Sequence, residues 1–170
     1  MARLHSVDSS RASRINGVVL VGVCAAGKTT AREGLLASGI PARSVAQEHS
    51  LVPHLYRQKD QGLLVLLVAS WETVHRRREL SWNPDFYRTE WFRLAAARQD
   101  ADFILHTDPL SRHEVLDAII SWWDARLGLG STWMRYPQWD HAMKTKIREK
   151  VAAGAGLREV LIEAESGLLP

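Results

Sequence analysis

The chain has 170 residues and a mass of 19.1 kDa, which suits one domain with a short appendage. Its 22 basic and 19 acidic residues give a net charge of +3 at pH 7, an excess too small to favour a nucleic-acid partner. The single cysteine, Cys24, excludes an internal disulfide and a cysteine-based structural zinc site. A reducing compartment fits this composition, so we expect a cytoplasmic protein.

The first residues allow two interpretations. Residues 1–16 are rich in serine and arginine and lack hydrophobic periodicity, so they are predicted to be a flexible leader. The apolar run that follows, at 18–26, has the composition of a signal-peptide core and also that of a buried strand. We favour the strand, because residues 27–30 continue it into a phosphate-binding pattern. No stretch approaches the roughly 18 apolar residues that cross a bilayer, so no membrane partner is expected.

Strands and helices are predicted to alternate along the chain, which indicates an α/β fold: a short parallel sheet of four to five strands with helices on both faces. The predicted strands are residues 17–21, 44–47, 63–68 and 102–106. The predicted helices are residues 28–37, a segment from 50 to just before 62, then 71–80, 84–99 and 111–127, the last with a capping box of Ser111 and Glu114.

The pattern changes after residue 128. We expect one domain over residues 17–128 and a helical C-terminal extension over 129–170, with helices near 138–151 and 157–165. The adjacent Trp122 and Trp123 cannot both face the core of their own helix. One of them is expected to meet either this extension or a second subunit. The extension is expected to pack on its own domain, with a homodimer interface as the alternative.

Residues 22–29 match the pattern G-x-x-x-x-G-K-[ST] at every position. A strand precedes and a helix follows, so the loop amides and the helix dipole favour a bound phosphate. Lys28 is expected to reach the β- and γ-phosphates and Thr29 to coordinate Mg²⁺, whereas Cys24 is interpreted as a small packing residue. The predicted ligand is Mg²⁺-ATP, held by Gly22, Ala25, Ala26, Gly27, Lys28, Thr29 and Thr30.

Glu48 and His49 follow the second predicted strand, at the sheet edge where ligands of α/β proteins collect. Glu48 is a candidate catalytic base for an acceptor hydroxyl or a metal ligand through water; the alternative is an ordinary polar residue bonded to Arg43. His49 is more simply explained as polar lining. Ala69 follows the third predicted strand, at a position where many proteins with this phosphate-loop pattern carry a metal-binding acid. Glu48 is therefore the better candidate for an acidic metal ligand.

Three consecutive arginines, residues 76–78, lie on the helix that leaves the third strand, before a break at 81–83. An arginine-bearing helix, a short connection and a second helix can form a lid over phosphates. Successive helical residues point about 100° apart, so the three cannot all face one site. We expect one or two of them, with Arg77 as the first choice, to stabilise charge on the transferred phosphoryl group.

These motifs, together with residues 106–111 (His-Thr-Asp-Pro-Leu-Ser), resemble the small P-loop kinases, a group that includes shikimate, gluconate, adenylylsulfate and cytidylate kinases. The sequence Gln-Glu-His-Ser at 47–50 resembles, more narrowly, an uncharacterised bacterial set of such kinase-like proteins. The resemblance implies a three-layer P-loop fold and a nucleotide base bordered by the loop that carries Asp108. The chain departs from the group in lacking an Asp-Arg acceptor motif.

The function expected from these features is ATP-dependent phosphoryl transfer to a small-molecule acceptor, with ATP and Mg²⁺ as cofactors. Two alternatives remain at this stage: a nucleotide-dependent switch without an acceptor substrate, and, less favoured by the charge, a nucleic-acid kinase. The identity of the acceptor, and the choice between ATP and GTP, are not encoded in these motifs.

Overall fold

The computed structural model describes residues 17–58, 62–78 and 83–169. Four strands form one sheet with the order β2-β1-β3-β4, and every neighbouring pair is parallel. The strands are β1 (Val18–Gly22), β2 (Ala42–Ser44), β3 (Leu63–Val68) and β4 (Phe103–His106). The expected α/β architecture with a parallel sheet is confirmed, at four strands.

Eight α-helices accompany the sheet in the described part of the chain. They are α1 (Lys28–Ala37), α2 (Trp71–Arg78), α3 (Pro84–Arg93), α4 (Ala95–Asp100), α5 (Arg112–Arg126), α6 (Leu129–Arg135), α7 (His141–Ala152) and α8 (Leu157–Glu165). The capping box at the start of α5 is confirmed, since Ser111 and Glu114 exchange hydrogen bonds with each other's backbone. None of the helices in the described residues combines the length and the apolar character needed to cross a lipid bilayer.

The inner strands β1 and β3 explain where the core lies. All five residues of β1 and the first five of β3 are buried, without the alternation of a half-exposed strand. Both faces of the sheet are therefore covered at its centre. The edge strand β4 alternates between half-buried and exposed residues, and Ile104 on its outer face is 44% exposed.

The chain after β1 and α1 differs from the sequence-based expectation. The second strand ends at Ser44, and the Gln47–His49 segment is a 3₁₀ turn. The helix expected over 50–61 is wrong for its described part, which holds only a 3₁₀ turn at Leu55–Arg57. The buried side chain of Gln47 explains this: its amide donates to the carbonyl of Val52 and accepts from the N–H of Leu55. It replaces the bonds that a helix would supply.

The single helix expected over 84–99 is two helices, broken at Leu94. Asn83 caps the first of them by accepting from the N–H of Asp85, and Pro84 occupies the first turn as expected. No glycine or proline marks the break. Leu94 is fully buried, with φ −86° and ψ 3°, so tertiary packing rather than local propensity ends α3.

The last three helices surround a second, smaller core, which contains Leu129, Ile147, Val160, Ala164 and Leu169. The sequence-based expectation was that a tryptophan of α5 meets this part or a second subunit; both tryptophans pack with the main core. Trp123 is buried in the main core and Trp122 stacks on Phe103, with ring centroids 5.1 Å apart. The next residue, Asp124, makes the connection instead: it accepts two hydrogen bonds from Arg148, at 2.9 and 2.7 Å, and one from the Trp133 indole at 2.7 Å.

Several sequence-based expectations concern residues outside the described ranges. They are the leader at 1–16, the last turn of the lid helix at 79–80, and the lid connection at 81–82, which includes Trp82.

Candidate functional site

The loop that joins β1 to α1, residues 23–27, forms the base of the candidate site. Two of its residues have left-handed backbone conformations: Ala25, with φ 59°, and Gly27, with φ 102°. Left-handed residues in such a loop, here separated by one residue, turn successive backbone N–H groups towards a common point. They thereby create a concave site that can bind an anion. Gly27 is also the N-cap of α1, and no side chain caps that helix end. The first-turn amides and the positive end of the helix dipole are thus open to an anion.

The two glycines of the motif serve different ends. A Cβ atom on Gly22 would lie 2.3 Å from the carbonyl oxygen of Leu67, so the close approach of β3 requires a glycine there. A Cβ on Gly27 would meet nothing within 4 Å, and only its positive φ favours glycine. The space beside Gly27 is open because it faces the cleft described below.

Lys28 folds back over this loop. Its Nζ donates to the carbonyl oxygens of Gly22 at 2.7 Å and Val23 at 3.0 Å, and it lies 2.6 Å from Oε1 of Glu48. The ammonium group is thereby held between the loop and the turn after β2. These two predicted site residues, 20 positions apart in sequence, form one ion pair.

Glu48 is positioned by the 3₁₀ turn that follows β2, and its side chain is only 3% exposed. Its backbone carbonyl accepts a hydrogen bond from Arg93 on α3 at 3.2 Å, whereas the suggested partner Arg43 donates to the carbonyl of Tyr56. Oε2 of Glu48 is buried without a hydrogen-bond partner among the described residues. Such an atom requires an explanation, and an absent ligand or ion is a common one.

Glu90, on α3, belongs to the same cluster but was not a candidate from the sequence. It is fully buried, and its Oε2 accepts from the backbone N–H of Cys24 at 3.0 Å. The sequence did contain a signal for Glu90. Tyr87 lies three positions before it and Leu94 four positions after it, so all three residues share one side of a helix, and that side is apolar. A carboxylate on such a face is costly to bury unless it has a specific polar role.

Cys24 and His49 complete the cluster. Sγ of Cys24 lies 3.1 Å from Nε2 of His49, and Nδ1 of the same imidazole lies 3.9 Å from Oε1 of Glu90. Burial, followed by the hydrogen bond and the negative charge of Glu90, raises the pKa of Cys24 to about 12. The thiol is therefore protonated near neutral pH, which disfavours a role as a nucleophile.

Arg77 approaches the loop from α2. Its guanidinium donates to the carbonyl of Ala25 at 3.2 Å and to Thr107 on the opposite side, through the hydroxyl at 3.2 Å and the carbonyl at 2.9 Å. Arg76 donates instead to the hydroxyl of Thr73, within its own helix. As expected from helix geometry, the consecutive arginines do not share one direction.

Asp108 follows Thr107 in the loop after β4. Its Oδ1 accepts from the backbone N–H of Ser70 at 2.9 Å. Burial raises the pKa of Asp108, but hydrogen bonds from Ser70 and Thr73 and the charge of Arg77 outweigh it, so the pKa lies below its ordinary value. The carboxylate of Asp108 is ionised, and it is bonded to the residue that directly precedes α2, Ser70.

These parts enclose an open cleft of about 780 Å³. The loop, the start of α1, the turn after β2, the end of α2 and the start of α5 all contribute to its walls. Its polar and charged lining is Lys28, Thr29, Thr30, Glu48, His49, Arg77, Arg78, Ser111 and Arg112, together with Cys24, Ala25, Ala26 and Gly27 of the loop. Of the predicted site residues, Gly22 lies behind the loop against β3, and Asp108 bonds to Ser70.

Compared with protein-family models, with curated proteins and with solved structures, the chain has no match.

Proposed function

We propose that the chain is an ATP-dependent phosphotransferase of the P-loop kinase kind, which moves the γ-phosphoryl group of Mg²⁺-ATP to a small-molecule acceptor. One observation carries this: the uncapped N-terminus of α1 opens into a cleft lined by four cationic side chains, those of Lys28, Arg77, Arg78 and Arg112. An anion with several negative charges, such as a triphosphate, suits this surface. The strand-loop-helix order on an inner strand of a parallel sheet supports a P-loop fold.

In this proposal the side chains of the cleft divide the work. Lys28 leaves its loop carbonyls to hold the β- and γ-phosphates, and the exposed Thr29 hydroxyl at the start of α1 is available to Mg²⁺. When bound, Mg²⁺ neutralises charge on the phosphate oxygens. Arg77, which already contacts the carbonyl of Ala25, is near enough to add positive charge where the transferred group passes.

Glu48 favours transfer over mere nucleotide binding. A buried carboxylate 2.6 Å from the phosphate-binding lysine suits an enzyme that must deprotonate an acceptor hydroxyl. A switch has no acceptor hydroxyl to deprotonate, and for a switch such a carboxylate serves only as a metal ligand. Movement of Lys28 onto the phosphates frees Oε1 of Glu48 to accept that proton.

The decisive experiment measures Mg²⁺-ATP affinity for the wild-type chain and for Lys28→Ala, with the exposed Lys146→Ala as a matched control. We expect Lys28→Ala to abolish binding or turnover and Lys146→Ala to leave both unchanged. Lys28→Ala leaves the buried carboxylate of Glu48 without its cationic partner, which can destabilise the fold. Circular dichroism therefore checks that the variant is folded. If it is not, the double variant Lys28→Ala/Glu48→Gln is used in its place. Unchanged affinity in a folded variant refutes the site.

The fate of γ-labelled ATP, incubated with a pool of small-molecule acceptors, then separates the candidate activities. Label in a new small molecule supports the kinase. Release as inorganic phosphate alone identifies a hydrolase, and retention on ATP that binds tightly identifies a switch.

A further inference from the structure

We propose that Cys24, Glu48 and His49 form a binding site for a thiophilic divalent cation, with Zn²⁺ as the best fit, distinct from the Mg²⁺ that accompanies a nucleotide. Their ligand atoms lie within 4.8 Å of one another. They are a sulfur, a carboxylate oxygen and an imidazole nitrogen, the ligand types that Zn²⁺ prefers, whereas Mg²⁺ and Ca²⁺ prefer oxygen alone. All three residues line the open cleft, so an ion can reach them from solvent.

The spacing of the ligand atoms is close to what a tetrahedral ion requires. Bonds of roughly 2.0 to 2.3 Å place neighbouring ligand atoms about 3.4 Å apart. In the structure, Sγ of Cys24 and Nε2 of His49 are 3.1 Å apart, and the same nitrogen is 3.9 Å from Oε1 of Glu48. A small movement of His49, whose side chain is 46% exposed, closes the difference.

Glu90 supplies the independent observation that points to a metal. Its Oε1 is fully buried without a hydrogen-bond partner among the described residues, and it faces the other ring nitrogen of His49, Nδ1, at 3.9 Å. A metal-binding histidine characteristically donates its second N–H to a carboxylate, which fixes the ring and raises its basicity. Glu90 stands where this partner of His49 is needed. The unpartnered Oε2 of Glu48 is explained in the same way, as a ligand that lacks its ion.

The charged groups around the site determine which oxygen of Glu48 can bind the metal. Lys28 lies 2.6 Å from Oε1 of Glu48 and is the cation that competes with the metal, while Arg93 donates to the backbone carbonyl of Glu48. The metal therefore uses Oε2, or displaces Lys28. Binding forms a sulfur-metal bond and releases the thiol proton of Cys24 to solvent. Three protein ligands leave one coordination position for water, as in open rather than structural zinc sites.

Co²⁺ provides the test, because it occupies zinc sites and a thiolate ligand gives it an intense charge-transfer absorption. The untagged full chain is titrated with Co²⁺ and then with Zn²⁺ against a chromophoric chelator. We expect one equivalent of Co²⁺ to bind with the thiolate band and Zn²⁺ to displace it. Cys24→Ala should abolish the band, and His49→Ala should weaken binding by at least about 10-fold. His113→Ala, an exposed histidine on α5, is the matched control and should change nothing.

Two further variants test the surroundings. Glu90→Gln should weaken Zn²⁺ binding by about 10- to 100-fold, as is usual when the carboxylate partner of a metal-binding histidine is lost. Lys28→Ala should tighten it, because the competing cation is gone, and the same variant loses nucleotide affinity. Failure of the metal site and failure of the nucleotide site are therefore distinguishable.

The wild-type chain offers a measurement that needs no variant. Cys24 is its only cysteine, so the rate at which a thiol reagent modifies the protein reports on that residue alone. Zn²⁺ should protect it, and a chelator should restore the reactivity. Co²⁺ binding without a thiolate band, or Zn²⁺ without effect on the modification of Cys24, overturns the proposal.

Discussion

Glu90 and Cys24 are 66 positions apart in sequence, and the carboxylate of Glu90 accepts a hydrogen bond from the backbone N–H of Cys24 at 3.0 Å. The third residue of the 22–29 loop is thus held by helix α3. The loop conformation therefore depends on a helix that does not carry any part of the phosphate motif.

This relationship leads to a prediction for two variants of Glu90. Glu90→Leu removes the acceptor and leaves the part-buried Cys24 amide without this partner, so Mg²⁺-ATP affinity should fall by about 10-fold, equivalent to about 1.4 kcal/mol. Glu90→Gln keeps an acceptor oxygen at the same position and should retain most of the affinity. Calorimetric titration of both variants measures the difference. Equal affinities for Leu and Gln would show that the bond does not organise the loop.

Glu48→Gln tests whether the carboxylate of Glu48 takes part in transfer. The variant keeps the shape of the side chain but cannot accept a proton, so phosphoryl transfer should drop by about 100-fold or more. ATP binding should persist, because Lys28 merely loses a competitor of the phosphates. The measurement pairs an ATP titration with the rate of γ-phosphoryl transfer. Full activity would remove Glu48 from the mechanism.

Much of the fold was predictable because it rests on local signals. The bounds of α1, β3 and α8 agree with the prediction. A glycine directly precedes each of these elements and marks its start: Gly27 before α1, Gly62 before β3 and Gly156 before α8. The place of residues 22–29 between a strand and a helix was equally predictable, because the pattern fixes particular residues at a fixed spacing. A single sequence is most informative where neighbouring residues restrict the backbone to one conformation.

The rest of the site depends on contacts between distant segments. Gln47 prevents a helix by bonding to the loop that follows it, and Leu94 breaks one by being buried, although neither residue has a strong propensity to do so. The cluster of Cys24, His49 and Glu90 joins three separate elements. A carboxylate on the apolar side of α3 hinted at a buried polar role, but only the tertiary structure supplies its partners.

Arg77 and Arg76 form a matched pair for testing the lid. Arg77→Ala removes the bonds to Ala25 and Thr107 and one positive charge from the cleft, so turnover should fall by about 100-fold or more. Arg76→Ala removes the same charge one position away, where the side chain bonds to Thr73 of its own helix, and should have little effect. Steady-state turnover of ATP by both variants measures this. Equal losses would point to a general charge effect rather than a role for Arg77.

A pH-dependent contribution to stability is expected from Asp100, at the far end of α4. Its Oδ2 accepts from the hydroxyl of Tyr56 at 2.5 Å and lies 2.6 Å from Arg57 and 3.1 Å from His54. The Tyr56 hydrogen bond is the largest cause that holds the pKa of Asp100 below its ordinary value of 3.8. Because the folded-state pKa is depressed, ionised Asp100 stabilises the fold above pH 3.8, and this is lost as the pH falls through the folded-state value.

Tyr56→Phe should accordingly lower the free energy of unfolding by about 1 to 2 kcal/mol near pH 6 and by much less at a pH low enough to protonate Asp100 in the folded chain. Tyr87→Phe is the control, because its hydroxyl donates to the backbone carbonyl of Ala69, which does not titrate. Its cost should therefore be nearly the same at both pH values. Urea unfolding of the three proteins across this range gives the comparison. A Tyr56→Phe deficit that stays constant with pH would mean that the bond does not depend on the charge of Asp100.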